Sequence, residues 1–367
     1  MDTMIVGCSN PLWPFAKSRG YGMSDDTQLL AELLRNAKRR TYVEYVSGDF
    51  SVEREQIQIG RRLEQQVLEQ FAWYIRNRGY TLGSVSEEKL QWAREKLYGG
   101  QVAAVDGRRD KPLDLISGVF CEVCIASVTY QTLSKPELSC RSITSHLAES
   151  LTAEDYYRNL KENRLHESTI TAAMIYWELE ACLNSPAEWV LKDGPILHQD
   201  LIWKGYPFLI DLLRKVVQRK TIIGVAKDLR AEGSIPFRRL GKLLEPGQYL
   251  VIYKGVTDEW IKPFRLNDAA KRFRTEEGQQ IWRGVFKARV KSYGFEIHKD
   301  VFEDGMAILM ADAMNNKRGV PNLVDQADTI AGSSFPSGLF GEKIKREFLL
   351  AGMGEYWELI DEHELRG

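Results

Sequence analysis

Cysteine is scarce in this chain: five residues in 367, at Cys8, Cys121, Cys124, Cys140 and Cys182. An odd, sparse set argues against a disulfide framework, and a reducing cytoplasm is the simplest setting. Cys121-Glu122-Val123-Cys124 has CxxC spacing, as in half of a zinc site or a redox pair. No second CxxC and no paired histidines follow it, and it lies within a β-like run, so it reads as reduced strand cysteines. No stretch approaches the ~20 apolar residues of a membrane span. No basic segment leads into an apolar core at the N-terminus, so no secretory signal is expected. Charge of one sign is also missing: 50 Lys+Arg against 51 Asp+Glu leave −1. That argues against a general polyanion binder, though not against a local basic groove. Repeats, low-complexity tracts and Pro/Gly/Ser linkers are absent, and a hydrophobic content of 44% is ordinary for a globular chain.

What is present divides near residue 100. Before it, Asp25 to Arg40, Val52 to Arg78 and Glu87 to Leu97 carry helical apolar periodicity. Ser51 is placed to cap the second of these, and Arg76-Asn77-Arg78-Gly79 to stop it. After it, strands are expected at Gln101 to Asp106, within Gly118 to Thr132 (as one strand or a hairpin) and near Ser139 to Thr144. A helical region follows from about Thr152, with a clear helix from His166 to Asn184. Trp189 to Asp193 is a strand, Leu201 to Arg219 a helix and Thr221 to Ala226 a buried strand. Gln248 to Tyr253 and Phe286 to Phe302 are strand-like, and the chain from Asn322 is helical. These elements predict an α/β fold: a mixed sheet flanked by helices, with a helical N-terminal extension. The expected domains are 1–98 (extension, for dimer or partner contacts), 99–340 (core) and 341–367 (helical tail).

Two phrases carry the chemistry. Val102-Ala103-Ala104-Val105-Asp106-Gly107 and Trp189-Val190-Leu191-Lys192-Asp193-Gly194 are apolar runs that stop on aspartate and glycine. Such runs read as buried strands, and ligands in open α/β sheets collect at the carboxyl ends of strands. Each Asp-Gly alone is also a common turn pair; together, flanking an acidic helix, they suit a hard divalent cation. The order of strand, β-rich stretch, helix, strand, helix, strand is that of a ribonuclease-H-like core. Such cores place a further carboxylate on the intervening helix, where Glu178 and Glu180 compete. Glu178 has Thr171, Met174, Ile175, Ala181 and Cys182 as helical neighbours. A lone carboxylate in that apolar stripe is costly unless paired or metal-bound, which favours Glu178. Two cations ~3.5–4 Å apart would activate a water and stabilise the leaving oxygen in phosphodiester cleavage. Lys227, after the third strand, would meet phosphate, or simply pair with Asp228 or solvent. His198 is a weaker candidate for proton transfer. Trp13, Phe15, Trp73 and Tyr74 would stack on bases or fill core and dimer contacts. Lys215, Arg219, Lys220, Arg238, Arg239 and Lys242 would line a nucleic-acid path or solvated helix faces.

These motifs resemble the NurA nuclease family. The matching residues are Ala104-Val105-Asp106-Gly107, Glu178, Asp193-Gly194-Pro195-Ile196, Ile222-Ile223-Gly224-Val225-Ala226-Lys227 and Pro321-Asn322-Leu323-Val324-Asp325-Gln326-Ala327-Asp328, covering about 101–335. Arg108 stands where the family often has serine. Asp328 stands where many members have histidine, with Asp325 a competitor for its role. The resemblance implies a DNA nuclease dependent on Mn²⁺ (or Mg²⁺), with 5'-3' exonuclease and single-strand endonuclease activity. It implies metal binding by Asp106, Glu178 and Asp193, completion of the site by Asp328, and DNA contacts by Lys227 and Arg108. It also implies a homodimer partnered by a HerA-type hexameric ATPase in end resection, repair or phage defence. One alternative is a non-catalytic subunit that loads a translocase onto DNA. Another, a sugar-kinase/actin phosphotransferase, lacks its duplicated Gly-rich loops here.

Overall fold

A computed structural model of the chain describes residues 30–32, 34–35, 51–110, 113–115, 118–144, 154, 167–196, 206–227, 235–255, 268–334 and 339–352. The chain falls into two units, Met1–Val67 and Leu68–Gly367. In the first, residues 30–32 and 34–35 are helical, and helix α1 (Ser51–Asn77) begins. Its side chains Ile57, Ile59 and Leu63 are exposed. The candidates Trp13, Phe15, His198 and Asp228 lie outside the described residues, as does the side chain of Ser51 expected to cap α1. No helix among the described residues is long and apolar enough to cross a membrane.

The second unit is built on a ten-stranded sheet among the described residues. Gly79, at φ 69°, turns the chain out of α1, a conformation glycine adopts at no steric cost. Strand β1 (Thr81–Ser84) follows, then α2 (Glu87–Tyr98), capped by the Ser86 side chain. Next come β2 (Val102–Arg109), β3 (Leu113–Leu115), β4 (Gly118–Val128) and β5 (Glu137–Thr144). Helix α3 (Glu167–Asn184), β6 (Trp189–Asp193), α4 (Pro207–Arg219) and β7 (Thr221–Ala226) complete the core. Then follow α5 (Ile235–Lys242), β8 (Gln248–Lys254), α6 (Asp268–Thr275), β9 (Ile281–Lys287) and β10 (Tyr293–His298). Helices α7 (Phe302–Met314), α8 (Asn322–Ser334) and α9 (Leu339–Leu350) close the described chain.

Strand order is β1-β8-β9-β10-β7-β6-β2-β4-β3, with β5 also on β4. Within it, β5-β4-β2 is antiparallel and β2-β6-β7 is parallel. Three antiparallel strands, a helix, a strand, a helix and a strand, in spatial order 3-2-1-4-5, form the ribonuclease-H-like core. Alternation along the strands divides the interior. Val102, Ala104, Leu191, Ile223 and Val225 pack with α2, α7 and α8, whereas Val105, Val190 and Ile222 pack with α3 and α4.

Three expectations change. The strand-like stretch from Phe286 to Phe302 holds the end of β9 and all of β10, paired as a hairpin, but strand ends at His298: a 3-10 turn follows at Lys299–Val301 and Phe302 starts a helix. The region before residue 99 is not all helical, because β1 pairs with β8 as a sheet edge. Strand β2 does not stop at Asp106: its parallel pairing with β6 ends at Val105, while its antiparallel pairing with β4 runs on to Arg109. Asp106 therefore marks the end of one ladder, not of the strand.

Candidate functional site

Asp106, Asp193 and Lys227 stand where the parallel strands β2, β6 and β7 part. They share strand parity with Ala104, Leu191 and Val225, so all three belong to the α8 face. Helix α8 supplies Asp328 from across that face. The Lys227 ammonium lies 2.8 Å from Asp193 Oδ2, 2.9 Å from Asp328 Oδ2 and 3.8 Å from Asp106 Oδ2. Depth varies: the Asp106 side chain is 6% exposed, Asp193 18%, Lys227 24% and Asp328 47%. Gly194, at φ 79°, turns the backbone so that its N–H donates to Asp193 Oδ1 at 3.0 Å.

Three carboxylates therefore face one ammonium. Burial pushes the Asp106 carboxyl up to about 9, and the Asp193 charge adds to this; Lys227 opposes it. Burial works against the Lys227 charge, but Asp193 and Asp106 outweigh it and hold Lys227 above the ordinary lysine value.

Glu178 is not in this cluster. It projects from α3 on the opposite face, beside Gly107, where a Cβ would lie 2.5 Å from Glu178 Oε1. Its Oε2 meets the Lys192 ammonium at 2.7 Å, with both side chains at most 4% exposed. The Gly107 N–H also donates to the Glu178 carboxylate, and Lys192 donates to the Asp193 carbonyl at 2.6 Å. One buried network thus ties the backbone after Asp106 to that of Asp193. Burial works against the Lys192 charge, and Glu178 outweighs it, holding Lys192 above the ordinary lysine value. Lys192 is absent from the sequence-based candidates. Its signal was a lysine inside an apolar strand, which needs a buried partner.

The competitors are placed elsewhere. Glu180 pairs with Arg141 at 2.7 Å, with that guanidinium 5.2 Å from the Trp177 ring. Asp325 is held by Arg318 at 2.8 Å through both oxygens and by Asn316 at 2.9 Å. Arg108 is exposed on β2, with Nη1 against Gly332 of α8. Lys220 donates to the carbonyls of Ser185 and Ala187, so it fastens a loop. Trp73 is exposed and Tyr74 packs edge-on against Tyr80.

A second feature missed in sequence positions Asp328. Asp312 of α7, fully buried, accepts from Tyr130 Oη at 2.7 Å and from the Leu323 N–H at 2.9 Å. It satisfies an otherwise orphaned donor at the start of α8.

Among the described residues, no group of three or more His, Cys, Asp or Glu side chains is arranged to hold a metal ion. Lys227 stands among the carboxylates instead. The donor set still fits a hard cation: it is all oxygen and short of positive charge, and Asp106, raised first by burial, is raised further by the neighbouring Asp193 charge.

No protein-family model and no curated protein sequence matches the chain significantly. Among solved structures the chain is similar to endonuclease V of Bacillus subtilis, at 14% identity and TM-score 0.36, over 63% of this chain and 79% of that one. It is similar to human endonuclease V at 14% identity and TM-score 0.31, over 73% of this chain and 97% of that one. Drosophila Piwi is similar at 8% identity and TM-score 0.26, over 64% and 29%. The ribonuclease-H-like assignment rests on the strand order above, and these likenesses assign no activity.

Proposed function

We propose that the chain is a divalent-metal-dependent DNA nuclease of NurA type. The observation that supports it most is the convergence of Asp106, Asp193, Lys227 and Asp328 at the parting of three parallel strands, with more carboxylates than cations. Asp106 and Asp193 would hold the ion, Asp328 would help complete the site, and Glu178, the third expected ligand, is bound to Lys192. A bound Mg²⁺ or Mn²⁺ would supply Lewis-acid activation of water and phosphate. The chain's own residues do the rest. Lys227 keeps its proton on Nζ and offers a fixed positive charge to a phosphate oxygen. Arg108, exposed two residues beyond Asp106 on the same face, would meet the DNA backbone. The Glu178–Lys192 network fixes the two aspartate-bearing strands relative to each other. On the motif resemblance, the activity is a 5'-3' exonuclease and single-strand endonuclease, exercised as a homodimer with a HerA-type ATPase in the cytoplasm.

The test is degradation of end-labelled linear DNA by purified protein in EDTA, Mg²⁺ or Mn²⁺. Cleavage should need metal and fall by about a hundredfold or more in Asp106→Ala. No cleavage by the wild type, even with a cognate HerA-type ATPase and ATP, would overturn the reading in favour of a non-catalytic loader.

A further inference from the structure

The CxxC spacing singles out Cys121 and Cys124, yet residues three apart on a strand point to opposite faces. Cys121 Sγ turns to the Asp110 carbonyl at 3.3 Å, and burial pushes its thiol up to about 11. The partner of Cys124 is Cys140. They are directly opposed in the β4–β5 ladder, and their sulfurs are 3.2 Å apart. Opposed residues in an antiparallel pair have Cα separations of about 4.5 or 5.5 Å. Both values fall within the roughly 4.4–6.8 Å that a disulfide spans. Cys140 is exposed and Cys124 buried, so one sulfur can meet an oxidant while the other waits beneath it.

We propose that Cys124 and Cys140 are a reversible two-electron oxidation site that closes into a cross-strand disulfide. With a peroxide as oxidant, the Cys140 thiolate attacks one peroxide oxygen. The O–O bond breaks, a sulfenic acid forms and hydroxide leaves. Cys124 Sγ then attacks the Cys140 sulfur; the S–S bond forms, the S–O bond breaks, and the Cys124 proton leaves with the departing oxygen as water. With hydrogen peroxide, two thiols and one peroxide give one disulfide and two waters. An accessible, reversible bond of this kind is what a cytosolic redox-responsive pair requires.

Position gives the site consequence. Among the described residues β5 pairs only with β4, so one ladder holds this edge strand and the bond would staple it. In the other direction Cys124 is opposed to Arg108 of β2. The row Arg108–Cys124–Cys140 therefore crosses the sheet two residues from Asp106.

The test treats the full chain with hydrogen peroxide, blocks remaining thiols by alkylation and maps peptides by mass. The expected product is a linked Cys124–Cys140 peptide lacking two hydrogens, reversed by dithiothreitol. It should vanish in Cys140→Ser and persist in Cys121→Ser. Oxidation of Cys140 to sulfinic acid without a crosslink would overturn the proposal. So would a Cys140–Cys140 bond between chains, or a Cys121–Cys124 bond. The readout is the bond itself, so the outcome is independent of the nuclease reading.

Discussion

The two faces of the central sheet handle buried charge in opposite ways. On the α3 face, Glu178 and Lys192 are matched one to one, sealed from solvent and hydrogen-bonded to backbone. On the α8 face, three carboxylates share one lysine and Asp328 reaches solvent. A matched buried pair is largely neutralised and acts chiefly on the backbone around it, although the Glu178 charge adds to the upward push on Asp106. An unmatched cluster retains negative charge that a further cation would neutralise. The same strand ends thus carry a structural polar core on one side and a candidate reaction site on the other.

Removing one partner of the matched pair should have the largest effect. Lys192→Met leaves Glu178 buried without its cation, which costs about 3–5 kcal/mol. Denaturant unfolding should show this loss, and Lys192→Met combined with Glu178→Gln should recover much of it. A single-variant loss under about 1 kcal/mol would mean that the pair is not matched in solution.

Next in size is the anchor of α8. Burial pushes the Asp312 carboxyl from 3.8 up to about 6, against the hydrogen bonds from Tyr130 and the start of α8. Because the folded value lies above the unfolded one, this contribution to stability is fully present below pH 3.8. It is lost as pH rises to about 6, a change of about 3 kcal/mol. Asp312→Asn should remove that portion of the pH dependence. Parallel unfolding curves for wild type and variant between pH 4 and 6 would refute the assignment.

Much of this frame was legible in the sequence. Trp189–Asp193 and Thr221–Ala226 are strands with the boundaries expected, because a short apolar run ending in a turn residue or a basic residue has few alternatives. Helix α7 was not legible. Buried from Gly305 to Ala313, it has no polar face and hence no 3.6-residue period. Strand β1, four residues including Gly83, is too short and too polar to register alone. In the site, Asp106 and Asp193 stood out, but the division between the faces did not. Whether a carboxylate on α3 meets the other acids or a lysine depends on which side of β2 it packs, and helical periodicity leaves that open.

A smaller effect is expected at Lys227. Lys227→Met deprives the cluster of its cation at a partly exposed site and should cost about 1–2 kcal/mol. A divalent ion should then raise the melting temperature of the variant more than that of wild type, since metal and ammonium serve the same carboxylates. Equal shifts would show that the ion binds elsewhere.

The smallest effect separates two aspartates three residues apart on α8. Asp325 is occupied by Arg318 and Asn316 beside an exposed guanidinium, so Asp325→Asn should cost at most about 1 kcal/mol and leave cleavage intact. Asp328 is bound to Lys227 and belongs to the cluster. Asp328→Asn should change stability as little, yet reduce cleavage. If Asp325→Asn abolished cleavage and Asp328→Asn spared it, the boundary drawn around the unmatched cluster would be wrong. The contact of Lys227 with Asp328 would then be a surface pairing only, and the site would have to be sought nearer the start of α8.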